Sequence, residues 1–233
     1  PRTIALGAIT DPYQPIERQY RITRSVLEVL DRANHPVGIV TKSALVVRDI
    51  DILSRMAERQ LVKVALSVTT LDRHLARKME PRATTPARRL EAIRQLSEAG
   101  IPTQVMVAPI VPALNDSEIE RILEAAYEAG ARDAGYVLLR LPLELKDLFR
   151  EWLLTEFPDR AKRVIHILQS MHGGRDYISE FGIRQRGSGP YADQLAKRFR
   201  LALKRLGMNE RGLKLRTDLF RKPNSRGEQL QLL

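Results

Sequence analysis

Two hydrophobic periods alternate along this chain, and no other feature restricts its fold as strongly. Short runs of apolar and β-branched residues occupy 3–9, 37–41, 62–69, 103–108 and 134–139. Each is nearly continuous in apolar character, the pattern of strands buried on both faces. Between them the period becomes helical. Ile22, Val26, Val29, Leu30 and Ala33 fall on one face of a helix beginning near Glu17, and Ile50, Leu53, Met56 and Ala57 on one face of the next. Thr85 is placed to cap a third helix, with Pro86 in its first turn, Leu90, Ile93 and Leu96 as its buried stripe and Gly100 as its stop. Asn115 or Asp116 caps the fourth, which turns Ile119, Ile122, Leu123 and Ala126 inward and ends at Gly130. Strand, helix, strand at intervals of 25 to 41 residues means parallel strands joined by right-handed crossovers, in an α/β barrel or a doubly wound sheet.

After Pro142 the alternation stops. Residues 144–157 and 159–171 read as two helices separated by Pro158, followed by turns at Gly173-Gly174 and Gly187-Ser188-Gly189. A last helix spans 190–206, with Leu195, Phe199, Ala202 and Leu206 inward, and the end from Asn224 reads as frayed. The expected division is therefore 1–142 and a helical extension, 143–233.

Composition narrows the function classes. The 233 residues are 43% hydrophobic and 29% charged, which suits a packed globular chain. No apolar run approaches the roughly 20 residues that span a bilayer, and the start does not read as a signal peptide, so the expectation is a cytoplasmic protein without a membrane partner. The opening Pro1, followed at once by Ile4-Ala5-Leu6, reads as numbering that begins mid-protein. There is no cysteine, so no thiolate metal site can be built from these residues. The net charge of +11 is uneven: residues 1–158 hold 22 Lys/Arg against 21 Asp/Glu, and residues 159–233 hold 17 against 7. A basic segment on a neutral body points to a polyanionic partner such as nucleic acid, although the same charges also suit solvated helix faces.

In parallel α/β folds the chain opens at the C-terminal ends of the strands. Polar residues follow each run in that place: Thr10-Asp11-Pro12-Tyr13, Thr41-Lys42-Ser43, Ser67-Val68-Thr69-Thr70, Asn115-Asp116 and Arg140. Singly, each has a plain reading, since Asp11-Pro12 suits a turn and Asn115-Asp116 a helix cap. Jointly they mark one rim. His35, His74, His166 and His172 lack metal-ligand spacing and read as surface or helix residues. Gly187-Ser188-Gly189 before a helix could cradle a phosphate but fits no P-loop pattern and reads as a turn.

Several blocks, in order, carry a family resemblance: Thr10 through Glu17, Val40-Thr41-Lys42-Ser43, Val64 through Asp72, Glu80-Pro81-Arg82, Arg88 through Ile93, Glu98-Ala99-Gly100, Ala108-Pro109-Ile110 and Asn115 through Glu118. Over roughly 3–142 the chain resembles the radical S-adenosylmethionine (SAM) barrel, in the bacterial group related to spore photoproduct lyase and described as DNA-repair-photolyase-like. Gly173 through Tyr177 and Phe181-Gly182 resemble that group's C-terminal extension. The resemblance implies a partial (β/α) barrel of six parallel strands, whose first strand and cysteine loop are absent here, with a basic helical C-terminal extension. It also implies SAM and a [4Fe-4S] cluster as cofactors and an electron donor as a partner. In such enzymes three cysteines hold the cluster, SAM chelates the remaining iron, and reductive cleavage gives a 5′-deoxyadenosyl radical that takes hydrogen from the substrate.

Carried onto this chain, the resemblance puts Thr10 and Asp11 at the methionine part of SAM, and Ser67 and Thr69 at its ribose or carboxylate. Thr41 and Lys42 line the same mouth, with Lys42 suited to a carboxylate or phosphate. Tyr13 is either a proton or hydrogen-atom relay or a phenol packed on a turn. Glu80 and Arg82 either close over the ligand or pair with each other. Without cysteine these residues cannot hold the cluster, so the chain alone is expected to be inactive. Two other classes fit the residues: a non-enzymatic nucleic-acid-binding protein using residues 159–233, disfavoured by an aromatic content of 5%, and a lyase with Lys42 as a desolvated nucleophile.

Overall fold

The computed structural model describes residues 1–180, 183–210, 212 and 214–222. The readings made for Phe181-Gly182 and for the end from Asn224 fall outside them. Five strands, β1 (Ile4–Leu6), β2 (Val37–Thr41), β3 (Val62–Ser67), β4 (Thr103–Ile110) and β5 (Asp133–Leu138), form one parallel sheet in sequence order. The connections hold α1 (Glu17–Tyr20) and α2 (Ile22–Arg32), then α3 (Ile50–Glu58), then α4 (Arg73–Met79) and α5 (Pro86–Glu98), then α6 (Ile119–Glu128). Strand order that follows the sequence without reversal is the signature of a barrel wall, and the chain has the α/β fold of a partial barrel. The helical C-terminal region holds α7 (Leu145–Glu156), α8 (Pro158–Ser170), α9 (Ile183–Arg186) and α10 (Pro190–Leu206).

The sheet departs from the expectation of strands buried on both faces. Val37, Ile39, Val64, Leu66, Val105, Val107, Tyr136 and Leu138 are buried, whereas much of the alternating set on the other face is half-buried. That second face carries small and polar side chains, among them Gly38, Lys63, Gln104 and Gly135, and the register sets Val40, Ala65, Gln104 and Asp133 in one row. A wall of this kind has a sealed convex side under the helices and an open concave side.

Two helical details also differ from expectation. The stripe Ile22, Val26 and Val29 of α2 faces outward, at 62%, 38% and 49% exposure, while Thr23, Leu27 and Leu30 are buried. β1 is the outermost strand at that edge, so the apolar stripe has no neighbour to cover it among the described residues. Thr85 precedes α5 in an extended conformation but makes no side-chain cap bond, and Asn115 is used elsewhere. In α10, Leu195, Phe199 and Ala202 are buried as expected.

The C-terminal region packs on the opposite edge. Phe199 lies 4.8 Å from Tyr136 of β5, Arg198 pairs with Glu120 of α6 at 2.7 Å, and the Tyr191 hydroxyl donates to Asp116. Burial and then that hydrogen bond push the Tyr191 phenol up to about 12. Beyond α10, Asn209 exchanges hydrogen bonds with both backbone groups of Ala134. The chain then crosses below the strands, where the Arg216 and Arg221 amides donate to the carbonyls of Gln60 and Ala33. Among the described residues no helix is long and apolar enough to cross a membrane.

Candidate functional site at the strand tips

The polar residues expected on one rim are on one rim. Thr10, Lys42 and Ser67 follow or end β1, β2 and β3 of the same parallel sheet, so all three lie at its C-terminal end. What joins the tips is a chain of buried ion pairs and hydrogen bonds. Gly7 turns the backbone out of β1 at φ +93°, where a Cβ would lie 1.9 Å from the Val40 carbonyl oxygen, so a larger residue cannot bring the loop this close to β2. The loop delivers Asp11. Its Oδ1 accepts from the Tyr13 amide at 2.8 Å and the Thr41 hydroxyl at 2.7 Å, and its Oδ2 accepts from the Lys42 amide at 2.8 Å.

Lys42 carries the link onward: its Nζ lies 2.5 Å from Glu80 Oε1, with the lysine side chain 36% exposed and the glutamate 9%. Glu80 Oε2 accepts from Arg89 at 2.6 Å. Arg89, 1% exposed, also donates to the carbonyls of Thr84 and Ser67 at 2.6 and 2.8 Å. Burial alone would raise the Glu80 carboxyl, but the charges of Arg89 and Lys42 outweigh it and hold the group below the ordinary glutamate range. The Thr69 hydroxyl lies 2.9 Å from both Glu80 Oε1 and the Ala108 carbonyl, two acceptors sharing one proton. Asn115 then pins β3 to β4, donating to the carbonyls of Thr69 and Pro109 and accepting from the Val111 amide at 2.7 Å.

Each candidate residue now has a position. Thr10 is exposed and has no partner among the described residues. Asp11 and Thr41 are bonded to each other. Ser67 is buried at 5% exposure, and its hydroxyl has no hydrogen-bond partner among the described residues. Tyr13 is packed, at 1% exposure, with its hydroxyl 3.1 Å from buried Asp49, and burial followed by the Asp49 charge pushes that phenol well above its ordinary range. Of the two readings of Tyr13, packing fits this environment. Glu80 pairs with Lys42 and Arg89 rather than with Arg82, which is exposed. An ion-paired, partly exposed Lys42 is also unlike the unpaired, desolvated amine that a lysine nucleophile requires. Sequence reasoning passed over Arg89, although a cation in the first turn of a helix, where the dipole disfavours it, is a signal for a carboxylate partner.

Outside this cluster, the Ser188 amide and hydroxyl are both engaged with the Met171 carbonyl, so that amide is not free to cradle a phosphate. His172, expected at the surface or on a helix, is 1% exposed. Among the described residues no group of three or more His, Cys, Asp or Glu could hold a metal ion, and with no cysteine the residues do not fit a [4Fe-4S] cluster.

Several known proteins are similar to this chain. An uncharacterized protein of Mycobacterium tuberculosis (strain H37Rv) is 34% identical over 163 residues, covering 69% of this chain and 48% of that protein. An uncharacterized protein of Methanocaldococcus jannaschii is 31% identical over 115 residues, covering 49% of this chain and 43% of that one. The chain thus spans about half the length of these relatives or less. Two solved variants of spore photoproduct lyase share the fold at TM-scores of 0.60 and 0.56, with 17% and 18% identity, 88% of this chain covered, and 58% and 57% of theirs. The family described as the radical SAM superfamily matches residues 4–126, from β1 into α6, the stretch that holds the first four strands of the sheet and the rim residues that follow them. By that match over more than half its length, the chain belongs to the radical SAM superfamily.

Proposed function

We propose that this chain forms the SAM-holding wall of a radical SAM enzyme that abstracts hydrogen from a nucleic-acid substrate. The observation that carries the reading is the unpartnered Ser67 hydroxyl beside Lys42, at the tips of adjacent strands of a family sheet whose concave side is open. SAM supplies the carbon radical precursor. Lys42 suits its carboxylate, Ser67 its ribose or carboxylate, and Thr10 its amino group, all three having hydrogen-bonding capacity to spare. Asp11, Thr41 and Thr69 bond mainly to the protein and act as positioning residues. The thiolates that hold the cluster, and the surface that receives an electron donor, belong to residues other than these. An oxygen-sensitive cluster favours the reducing cytoplasm.

The nucleic-acid half of the proposal draws on the positive charge of residues 159–233. Part of that charge is engaged within the protein, since Arg198, Arg205 and Arg216 each pair with a carboxylate and Arg186 lies over Tyr136. Exposed Arg160, Lys162 and Arg163 of α8 have no carboxylate partner among the described residues.

The test uses the protein that carries this chain together with its cluster ligands, reconstituted without oxygen, and measures 5′-deoxyadenosine formed from SAM. Ser67→Ala and Lys42→Met should each raise the KM for SAM by about tenfold, the loss of roughly 1.4 kcal/mol of binding. An unchanged KM in both variants, or no SAM cleavage by the wild type, defeats the reading.

A further inference from the structure

A cleft of about 290 Å³ opens beside the network, between the loop after β1, the segment after β2 and the loop between α4 and α5. Its polar lining has a consistent character. Arg18 and Arg82 face it from different segments, both exposed and neither guanidinium with a hydrogen-bond or carboxylate partner among the described residues. Ser43 Oγ accepts from the Leu45 amide at 3.3 Å and Thr84 Oγ1 from the Ala44 amide at 3.1 Å, so each hydroxyl keeps its proton free to donate. The one carboxylate in the lining, Asp11, already accepts three hydrogen bonds from Tyr13, Thr41 and Lys42. Lys42 itself is turned to Glu80.

The lining is therefore rich in unused donors and carries two unpaired guanidiniums, with the Gln14 amide adding both a donor and an uncharged acceptor. A cation would meet Arg18 and Arg82, and a neutral ligand would leave them unmatched. An oxyanion satisfies the set. Donors that converge from three segments suit a tetrahedral phosphate better than a planar carboxylate, which one guanidinium alone can hold in a fork. The volume lies at the low end for ligand pockets, so it holds a fragment, such as one phosphate with its sugar, and not an oligomer. Pro15 and Leu45 give an apolar wall for the sugar.

We infer that this cleft binds a phosphate of a nucleotide unit of the substrate, with Arg18 and Arg82 as the charged grips and the Ser43 and Thr84 hydroxyls as directional donors. The inference deepens the proposed function and rests on it for the substrate class. It also moves the anion contact away from residues 159–233, to the rim where the tips of β1, β2 and β3 meet.

Calorimetric titration of the 233-residue chain tests it, with thymidine 5′-monophosphate, thymidine, inorganic phosphate and SAM as separate probes. The monophosphate should bind at least about tenfold more tightly than thymidine or inorganic phosphate. Arg18→Gln and Arg82→Gln should each weaken the monophosphate by about tenfold, and Arg82→Lys, which keeps charge but loses the fork, by less. A Lys162→Gln, Arg163→Gln double variant on α8 should leave it unchanged. Melting temperatures of the exposed-site variants check that folding is intact.

Equal binding of thymidine and its monophosphate, or insensitivity to both arginine substitutions, overturns the inference. So does inorganic phosphate binding as tightly as the nucleotide, which would make this a site for the free ion. If SAM loses the same factor in the arginine variants, the guanidiniums hold its carboxylate; the inference then fails while the SAM reading stands. The converse pattern is equally distinct: nucleotide binding by this chain that behaves as expected, together with no SAM cleavage by the reconstituted protein that carries the cluster ligands, upholds the phosphate cleft and removes the SAM reading.

Discussion

The two edges of the sheet are built from the same kind of strand and treated in opposite ways. At the β5 edge, α10 lays Phe199 on Tyr136, Asn209 is bonded to the Ala134 backbone, and Arg198 and Tyr191 tie the helix to α6 and to Asp116. At the β1 edge, Ile4 is 37% exposed and α2 turns Ile22, Val26 and Val29 to solvent. Yet the bare edge is the one that carries the proposed site, because Asp11 and Thr10 lie on the loop after β1. The difference teaches that the rim is not held by the packing around it alone. It is also tied from below, by a chain of charge running from partly exposed Lys42 through Glu80 to buried Arg89.

Removing the cover from the β5 edge should have the largest effect. Phe199, 4% exposed, fills the space between α10 and β5, and Phe199→Ala is expected to cost about 3–5 kcal/mol by loss of transfer energy and a residual cavity. Urea unfolding with an unchanged slope measures it. A loss below about 1 kcal/mol would mean that α10 is not part of the cooperative unit.

Next in size is the tie beneath the rim. Arg89→Met removes the cation between Glu80 and the carbonyls of Ser67 and Thr84, and breaking a buried pair from one side costs roughly 3–5 kcal/mol. The expected loss is near the lower figure, since Lys42 still faces Glu80. The double variant Glu80→Gln, Arg89→Met should recover part of it, because no uncompensated carboxylate is left. Failure of that recovery would make Arg89 a packing residue and not a charge partner.

Protonation probes the same tie more gently. A carboxyl held below its ordinary value of 4.5 contributes stability that is complete above that pH and is lost as pH falls through the lowered folded value. Wild-type stability should therefore decline below about pH 4.5, and Glu80→Gln should flatten part of that decline. Asp51, Glu120 and Asp176, held low by hydrogen bonds from Arg24, Arg198 and Arg150, keep the remaining slope. An identical acid limb in the variant would contradict the charge assignment of Glu80.

How much of this was legible follows from what each feature depends on. The parallel strands and their rim were readable because the period, the Gly100 and Gly130 stops and the polar residues at strand ends are all local in sequence. Asp11, Thr41 and Lys42 were each readable as rim residues, but the hydrogen bonds that join them were not, since they connect residues 30 and 31 positions apart. The tie through Glu80 and Arg89 was not, because it requires α4 and α5 to fold over the tip of β3. The helical pattern drew attention to Leu90, one residue past the arginine that is in fact buried. Asn115 looked like a cap because its true partners, the Thr69 and Pro109 carbonyls, are supplied by chain reversal. The half-open concave face was hidden for a different reason: small residues such as Gly38 and Gly135 count as apolar in a run without requiring burial.

The α2 stripe gives the smallest expected effect and the sharpest test of the contrast between edges. A hydrophobic period states that a face is apolar, not that anything lies against it, and at this edge no further strand follows β1 in the sheet among the described residues. If the stripe is uncovered in solution, Val26→Ser and Val29→Ser remove side chains that were already about 38% and 49% exposed, and each should change stability by within about 0.5 kcal/mol. Hydrogen exchange should agree, with amides of β1 exchanging much faster than those of β5, since local opening scales with the buried contacts that oppose it. A loss above about 2 kcal/mol, or strong protection of β1, would mean that the edge is covered in solution, and the asymmetry between the two edges would disappear.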